Sequence, residues 1–225
     1  MPSERQLTVD AACREIAGLR IARRIDKIIV HHTWKPTAAD YRGLSTVEGI
    51  RRYHMDIRGW GDAGYHIEIG PNSDIWLCRP MERSGAHCRG HNAHSIGVSY
   101  IADFDAQDPA TYAGLAAGQL VVAALCERFC LDSEDVFFHS DVSSKTCPGT
   151  LMDRAEYRQA VKRFMGSKWE VWRLPGSIPI ECNVAVENGV ARADVRALCE
   201  GLGFEVEPVE QKIMISKRKG GDTDD

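Results

Sequence analysis

Apolar residues along the chain fall into two rhythms, and the switches between them mark out the elements. Behind Thr8, a residue type that caps helices, Ala11, Ile16, Leu19 and Ile21 recur on roughly one helical face and predict a short leading helix over 8–23. Residues 27–30 (KIIV) are instead a β-branched run ending on His31-His32, the pattern of a buried strand that delivers a side chain at its carboxyl end. Helical spacing returns with Val47, Ile50, Tyr53 and Ile57 and is stopped by Gly59, Gly61 and Gly64. Residues 65–70 alternate as a strand, 71–74 (PNSD) read as a turn and 74–80 return, so a hairpin is predicted. Further on, the pattern predicts a strand over 95–102, a long apolar-faced helix over 113–131, a short buried strand over 136–140 and an amphipathic helix over 154–165. Strands and helices in this order predict an α/β fold, a mixed central β-sheet flanked by helices.

After Gly166 the character changes. Short β-rich segments, a helical stretch RADVRALCEGLGF and a final hairpin or strand in EVEPVEQKIMISKRK predict a small C-terminal α+β module. The expected organisation is an N-terminal helix over 1–24, a main domain over 25–166, the small module over 167–219 and a disordered tail over 220–225.

Length agrees with this division, since 225 residues exceed the needs of one core. A net charge of −4 lacks the surplus of Lys and Arg that neutralises phosphates, which argues against nucleic acid as a partner. Charges interrupt residues 1–20 every few positions, and no run of about 18 apolar residues occurs, so neither a secretory signal nor membrane insertion is expected. The chain is expected to be cytoplasmic at synthesis. Its eight cysteines are then expected mostly as reduced thiols, with Cys126 and Cys130 as buried small hydrophobes, while Cys78 and Cys88 could approach one another across a loop.

Chemistry concentrates in HSDVSSKTCP, residues 139–148. A histidine and a cysteine eight apart turn towards one metal on an irregular loop, whereas on a helix more than two turns would separate them. A histidine at the end of the first main strand completes two imidazoles and one thiolate, leaving a fourth position open, as in catalytic rather than structural zinc sites. Adjacent strand residues point to opposite faces, so only one of His31 and His32 can serve.

Four segments, IIVHHTW, GWGDAGYHIEI, GAHCRGHNAHSIGVSYIADF and HSDVSSKTCPG, stand in this order over about residues 25–166. Together they resemble the zinc-dependent N-acetylmuramoyl-L-alanine amidase family, which includes amidase-type phage lysozymes and peptidoglycan recognition proteins. The resemblance implies one Zn2+ held by His31, His139 and Cys147, with the cysteine standing where some branches use aspartate. It implies catalytic roles for Tyr65 and Lys145, and substrate contacts for His87 and Asn92. Trp34, just past the ligand strand, is a further candidate for packing against sugar or peptide. A zinc with an open position lowers the pKa of water towards about 7, and Lys145 and Tyr65 are placed to stabilise an oxyanion.

His32 and His66 are expected in structural roles, His54 on a solvated helix face, and Glu68 as a weaker candidate to approach the site from the Tyr65 side. The expected function is hydrolysis of the bond between N-acetylmuramic acid and L-alanine, with peptidoglycan or muropeptide as substrate. An endolysin acting on the wall after release through a membrane lesion fits this expectation, as do a cytosolic amidase recycling wall fragments and a non-catalytic muropeptide-binding protein. The C-terminal module also resembles, through NVAVENGV…ADVRALCEGLGFEVE, a small repeat-type domain found in some copper amine oxidases and wall-associated proteins; no copper site is expected, and targeting, dimerisation and inert packing are all open to it.

Overall fold

A computed structural model of the chain describes residues 4–165, 204–209 and 212–217. The chain divides into two compact units, Met1–Gly166 and Ser167–Asp225. In the second, strands β7 (Phe204–Val209) and β8 (Lys212–Lys217) pair antiparallel, Phe204 opposite Lys217 and Val209 opposite Lys212. The helix expected in this module and the tail over 220–225 lie outside the described residues.

The first unit carries a six-stranded mixed sheet in the order β1-β4-β3-β5-β2-β6. Strands β2 (Lys27–His32), β3 (Ile67–Ile69), β5 (Ser95–Tyr100) and β6 (Val136–Phe138) run parallel to their neighbours among themselves. Strand β4 (Ile75–Leu77) returns antiparallel to β3, and β1 (Arg5–Leu7) closes the other edge antiparallel to β4. Helices α1 (Val9–Gly18), α2 (Leu44–Arg52), α3 (Gly114–Phe129) and α4 (Arg154–Phe164) flank the sheet. Among the described residues no helix is long and apolar enough to cross a membrane.

Alternation along the strands separates two faces with different jobs. Ile28, Val30, Ile67, Ile69, Ile96, Val98, Val136 and Phe138 face one way and join Ile16 of α1, Val121, Val122 and Leu125 of α3 and Tyr157 and Val161 of α4 in the main core. Each fully buried Ile or Val contributes about 1.5–3 kcal/mol relative to exposure, so this face carries most of the fold's stability. On the opposite face Trp76, Cys78 and Ile101 pack with Val47 and Ile50 of α2 in a smaller cluster.

The small-cluster face bears the polar groups. His31 pairs with Ser99, Ser99 with Glu68 and Glu68 with Trp76, so one rung across four strands is largely polar and entirely buried. Glu68 is the costliest member, because neither carboxylate oxygen meets a hydrogen-bond partner among the described residues. Burial, with Glu4 adding to it, pushes its carboxyl from the ordinary 4.5 up to about 8, and Tyr41, Tyr65 and Cys78 share its surroundings. Folded Glu68 therefore keeps a proton that the unfolded chain releases. Its contribution to stability is complete below pH 4.5 and is lost as the pH rises through about 8. Glu68→Met, which has nothing to ionise, is expected to raise the unfolding free energy by a few kcal/mol at pH 8 and by much less at pH 5. Denaturant titration at both pH values checks this, and an equal gain at the two would refute the buried-acid account.

Two local expectations are corrected here. Residues 53–57 leave α2 as a π-helical turn instead of continuing it, and His54, at i+7 from Val47 and i+4 from Ile50, lies on their face of the helix and is buried. Cys126 is buried as expected, but Cys130 caps α3 in a left-handed conformation (φ 56°) and is exposed. The six described cysteines are free thiols, Cys78 and Cys88 included.

Candidate metal centre

Strands β2 and β6 are parallel neighbours with Val30 opposite Phe138, so His31, near the end of β2, and His139, just past the end of β6, stand side by side at the sheet's carboxyl edge. Their ring centroids are 4.6 Å apart. After β6 the chain makes a short helical turn, His139–Asp141, whose Asp141 carboxylate accepts from Phe138 N at 2.9 Å and is held by Arg154 and Arg158 of α4. The following loop is pinned by Asp105, which accepts from Thr146 Oγ1 and Thr150 N, each at 2.8 Å. Ser140 N donates to Cys147 O at 2.7 Å, and His32 N donates to Cys147 Sγ at 3.4 Å. The thiol is thereby turned back onto the strand that carries His31.

Ligand atoms of His31, His139 and Cys147 all lie within 4.8 Å of one another. Cys147 Sγ stands 3.6 Å from His31 Nδ1. A tetrahedral zinc with bonds of roughly 2.0 Å to nitrogen and 2.3 Å to sulfur would separate two such ligands by about 3.5 Å, so this pair stands at a zinc-like spacing and the three residues supply donors of the types zinc takes. Burial lowers the pKa of both imidazoles, His31 far down and His139 to about 4, with Lys145 contributing to each. Neutral rings are the form that binds metal. Burial pushes the Cys147 thiol up to about 12 against the opposing His32 N–H and Lys145, so capture of a metal there releases a proton.

Alternation settles the choice between the paired histidines. Ile28 and Val30 face the main core, which leaves Ile29 and His31 on the polar face. His32 turns the other way, its Nδ1 accepting from Phe104 N at 3.0 Å and its ring stacked on Phe104. His66 likewise has structural partners, with Nδ1 accepting from Gly97 N at 3.0 Å.

Tyr65 lies against the cluster, its ring centroid 5.1 Å from that of His31. Regular pairing of β3 begins only at Ile67, which frees Tyr65 from strict alternation. Burial, Cys147 and Glu68 all push its phenol up, so the hydroxyl keeps its proton and can donate. The buried His54 packs edge-on to Tyr65 and stacks on Trp60, while its Nδ1 accepts from Gly64 N at 3.1 Å. The charged neighbours Arg51, Arg52 and Asp56 mask this support in the sequence, although i, i+3, i+7 spacing from Val47 and Ile50 is the signal that reveals it. Lys145 is exposed on the ligand loop, near enough that its charge lowers His31, His139 and Cys147.

The remaining candidates are distributed differently. Trp34 is 59% exposed and holds a left-handed backbone (φ 61°), with its N–H donating to Ala102 O at 3.0 Å. His87 is buried behind His31, with its Nδ1 3.0 Å from His31 Nε2. Asn92 is half-buried and spends Oδ1 on the backbone N–H groups of His87 and Cys88, at 3.0 and 2.8 Å.

Residues 21–150 match the sequence profile described as N-acetylmuramoyl-L-alanine amidase. The chain is 28% identical over 135 residues to Peptidoglycan-recognition protein SC2 of Drosophila melanogaster, covering 58% of this chain and 71% of that one. It is 31% identical over 130 residues to a human N-acetylmuramoyl-L-alanine amidase, covering 56% of this chain and 22% of the human protein. Among solved structures it is similar to Drosophila PGRP-LB, with 25% identity, TM-score 0.51 and coverage of 60% of this chain and 85% of that chain. An endolysin amidase, LysCS of Clostridium intestinale, shares the fold at 23% identity and TM-score 0.53, covering 61% and 83% of the two chains.

Proposed function

The chain belongs to the N-acetylmuramoyl-L-alanine amidase family, and from that premise we propose that it is a zinc amidase hydrolysing the bond between N-acetylmuramic acid and L-alanine in bacterial peptidoglycan. Relatives in this family carry names of both recognition proteins and amidases, so membership alone leaves catalysis open. The observation that carries the hydrolytic reading is the His31, His139 and Cys147 cluster with a protonated tyrosine packed against it. A recognition surface has no need of three converging metal donors beside a half-buried proton donor.

His31, His139 and Cys147 would hold the metal, which when bound supplies Lewis acidity that polarises an amide carbonyl and makes water acidic enough to attack near neutral pH. Tyr65 presents its O–H where negative charge develops on the carbonyl oxygen. Burial raises the value of that hydrogen bond because the dipole is already oriented and little water competes. Lys145 adds positive charge at the mouth of the same site, where it can stabilise the developing oxyanion. Trp34, exposed beyond the end of β2, offers an aromatic face to sugar or peptide. In this reading the protein is an endolysin, cytoplasmic when made and acting on the wall once released.

Mass spectrometry of purified peptidoglycan incubated with the zinc-loaded protein tests the proposal. Released stem peptides with a free L-Ala amino terminus are expected, and a chelator should suppress them. Retention of the protein on peptidoglycan without released peptide would instead establish a recognition role.

A further inference from the structure

Behind the metal ligands the structure holds a chain of hydrogen bonds with a defined direction. Ser95 Oγ donates to His91 O at 2.9 Å, and a carbonyl oxygen can only accept. The hydroxyl has one proton, so its contact with His87 Nε2 at 3.3 Å requires that nitrogen to be the donor. A neutral His87 protonated on Nε2 has a lone pair on Nδ1. His31 Nε2, 3.0 Å from that lone pair, must then carry the proton, which leaves His31 Nδ1 bare on the side facing Cys147 Sγ.

His87 has no freedom to turn away. Its ring lies against Gly85 and Gly97, where a Cβ on either glycine would come within 2.4 and 2.5 Å of it. Asn92 Oδ1 accepts from both His87 N and Cys88 N, fixing the backbone from which the ring projects. We propose that His87 and Ser95 form a positioning relay that sets the tautomer of His31, so that Nδ1 is the nitrogen offered to the metal. This rests on the metal reading above and gives His87 a task other than touching substrate. Both glycines in GAH and SIG then serve one purpose, a slot for this ring.

Two measurements on the full-length protein test the relay. In the metal-free protein, nitrogen NMR of labelled imidazoles should find the His31 proton on Nε2, and His87→Leu should give a mixture of tautomers. Zinc affinity, read by competition with a chromophoric chelator, should fall about 10–100-fold in His87→Leu. His87→Asn, whose side-chain oxygen can take the place of Nδ1, should recover most of it. Ser95→Ala, which releases His87 to either tautomer, should show a smaller, severalfold loss. A His31 proton on Nδ1 in the metal-free protein overturns the relay. So does a zinc affinity unchanged in His87→Leu with a raised KM, which would return His87 to the substrate groove. Equal loss in the Leu and Asn variants, tracking loss of apo thermal stability, would reduce His87 to packing. If the wild-type protein binds no zinc yet shows the expected tautomer, the metal reading fails and the relay stands.

Discussion

Cys147→Ala is expected to lose bound zinc and at least ~10³-fold in turnover while remaining folded. The thiolate would be the one anionic donor in the described cluster, and two neutral imidazoles hold zinc far more weakly than a set with a charged ligand. Its removal takes little else from the structure. Sγ accepts from His32 N at 3.4 Å and makes a long contact to His32 O at 3.8 Å, and the carbonyl of residue 147, which accepts from Ser140 N, survives the substitution. Truncating a small buried side chain costs on the order of 1 kcal/mol, so the metal-free variant should melt close to the metal-free parent. Cys147→Asp restores a charged donor and is expected to recover zinc and part of the activity. Metal content by elemental analysis, alongside turnover and thermal melting, separates these outcomes. An alanine variant with stoichiometric zinc and normal turnover would remove Cys147 from the ligand set.

Tyr65→Phe should lower kcat by about 10²–10³ with KM and zinc content little changed, the cost typical of removing one preorganised oxyanion donor. The substitution is a clean one because the ring itself is structural. It packs at 5.1 Å from His31 and 5.6 Å from His54, and phenylalanine preserves both contacts. Its effect therefore falls on charge that appears only during reaction, which lowers kcat and kcat/KM together. Steady-state kinetics on a soluble muropeptide gives the split. A variant that lost binding instead of turnover would assign Tyr65 to the ground-state complex.

Much of this architecture was legible in the sequence because burial writes a period into the chain. The mixed sheet flanked by helices followed from β-branched runs alternating with helical spacing, and strands β2, β5 and β6 fall inside or close to the expected segments. Strand β1 left no such mark. Three residues, Arg5, Gln6 and Leu7, have too little apolar content to read as a strand, and only their pairing with β4 makes them one. The convergence of His139 and Cys147 was legible from loop-like spacing, and that of His31 from its place at a strand end. The surroundings of these residues were not. Arg51, Arg52 and Asp56 make His54 read as solvated although its spacing from Val47 and Ile50 puts it on the buried face, and the bonds joining His87 to His31 and Ser95 depend on a loop path that no periodicity encodes. Polar contacts that join distant segments are set by register and loop geometry, which a linear pattern does not contain.

The thiol and the ring nitrogen at the heart of the cluster are 116 positions apart along the chain. Neither half of the unit holds a metal-binding fragment by itself, so during synthesis the centre cannot exist until the ribosome has passed the last loop before α4. Once assembled, a bound ion acts as a removable staple across that span, opposing the entropy gained when so long a loop opens. Occupancy at a hundredfold excess over the dissociation constant adds about 2.7 kcal/mol to the folded state. If the centre takes zinc as proposed, metal supply would govern the protein's lifetime as well as its chemistry, and a zinc-poor medium would leave it easier to unfold and to degrade.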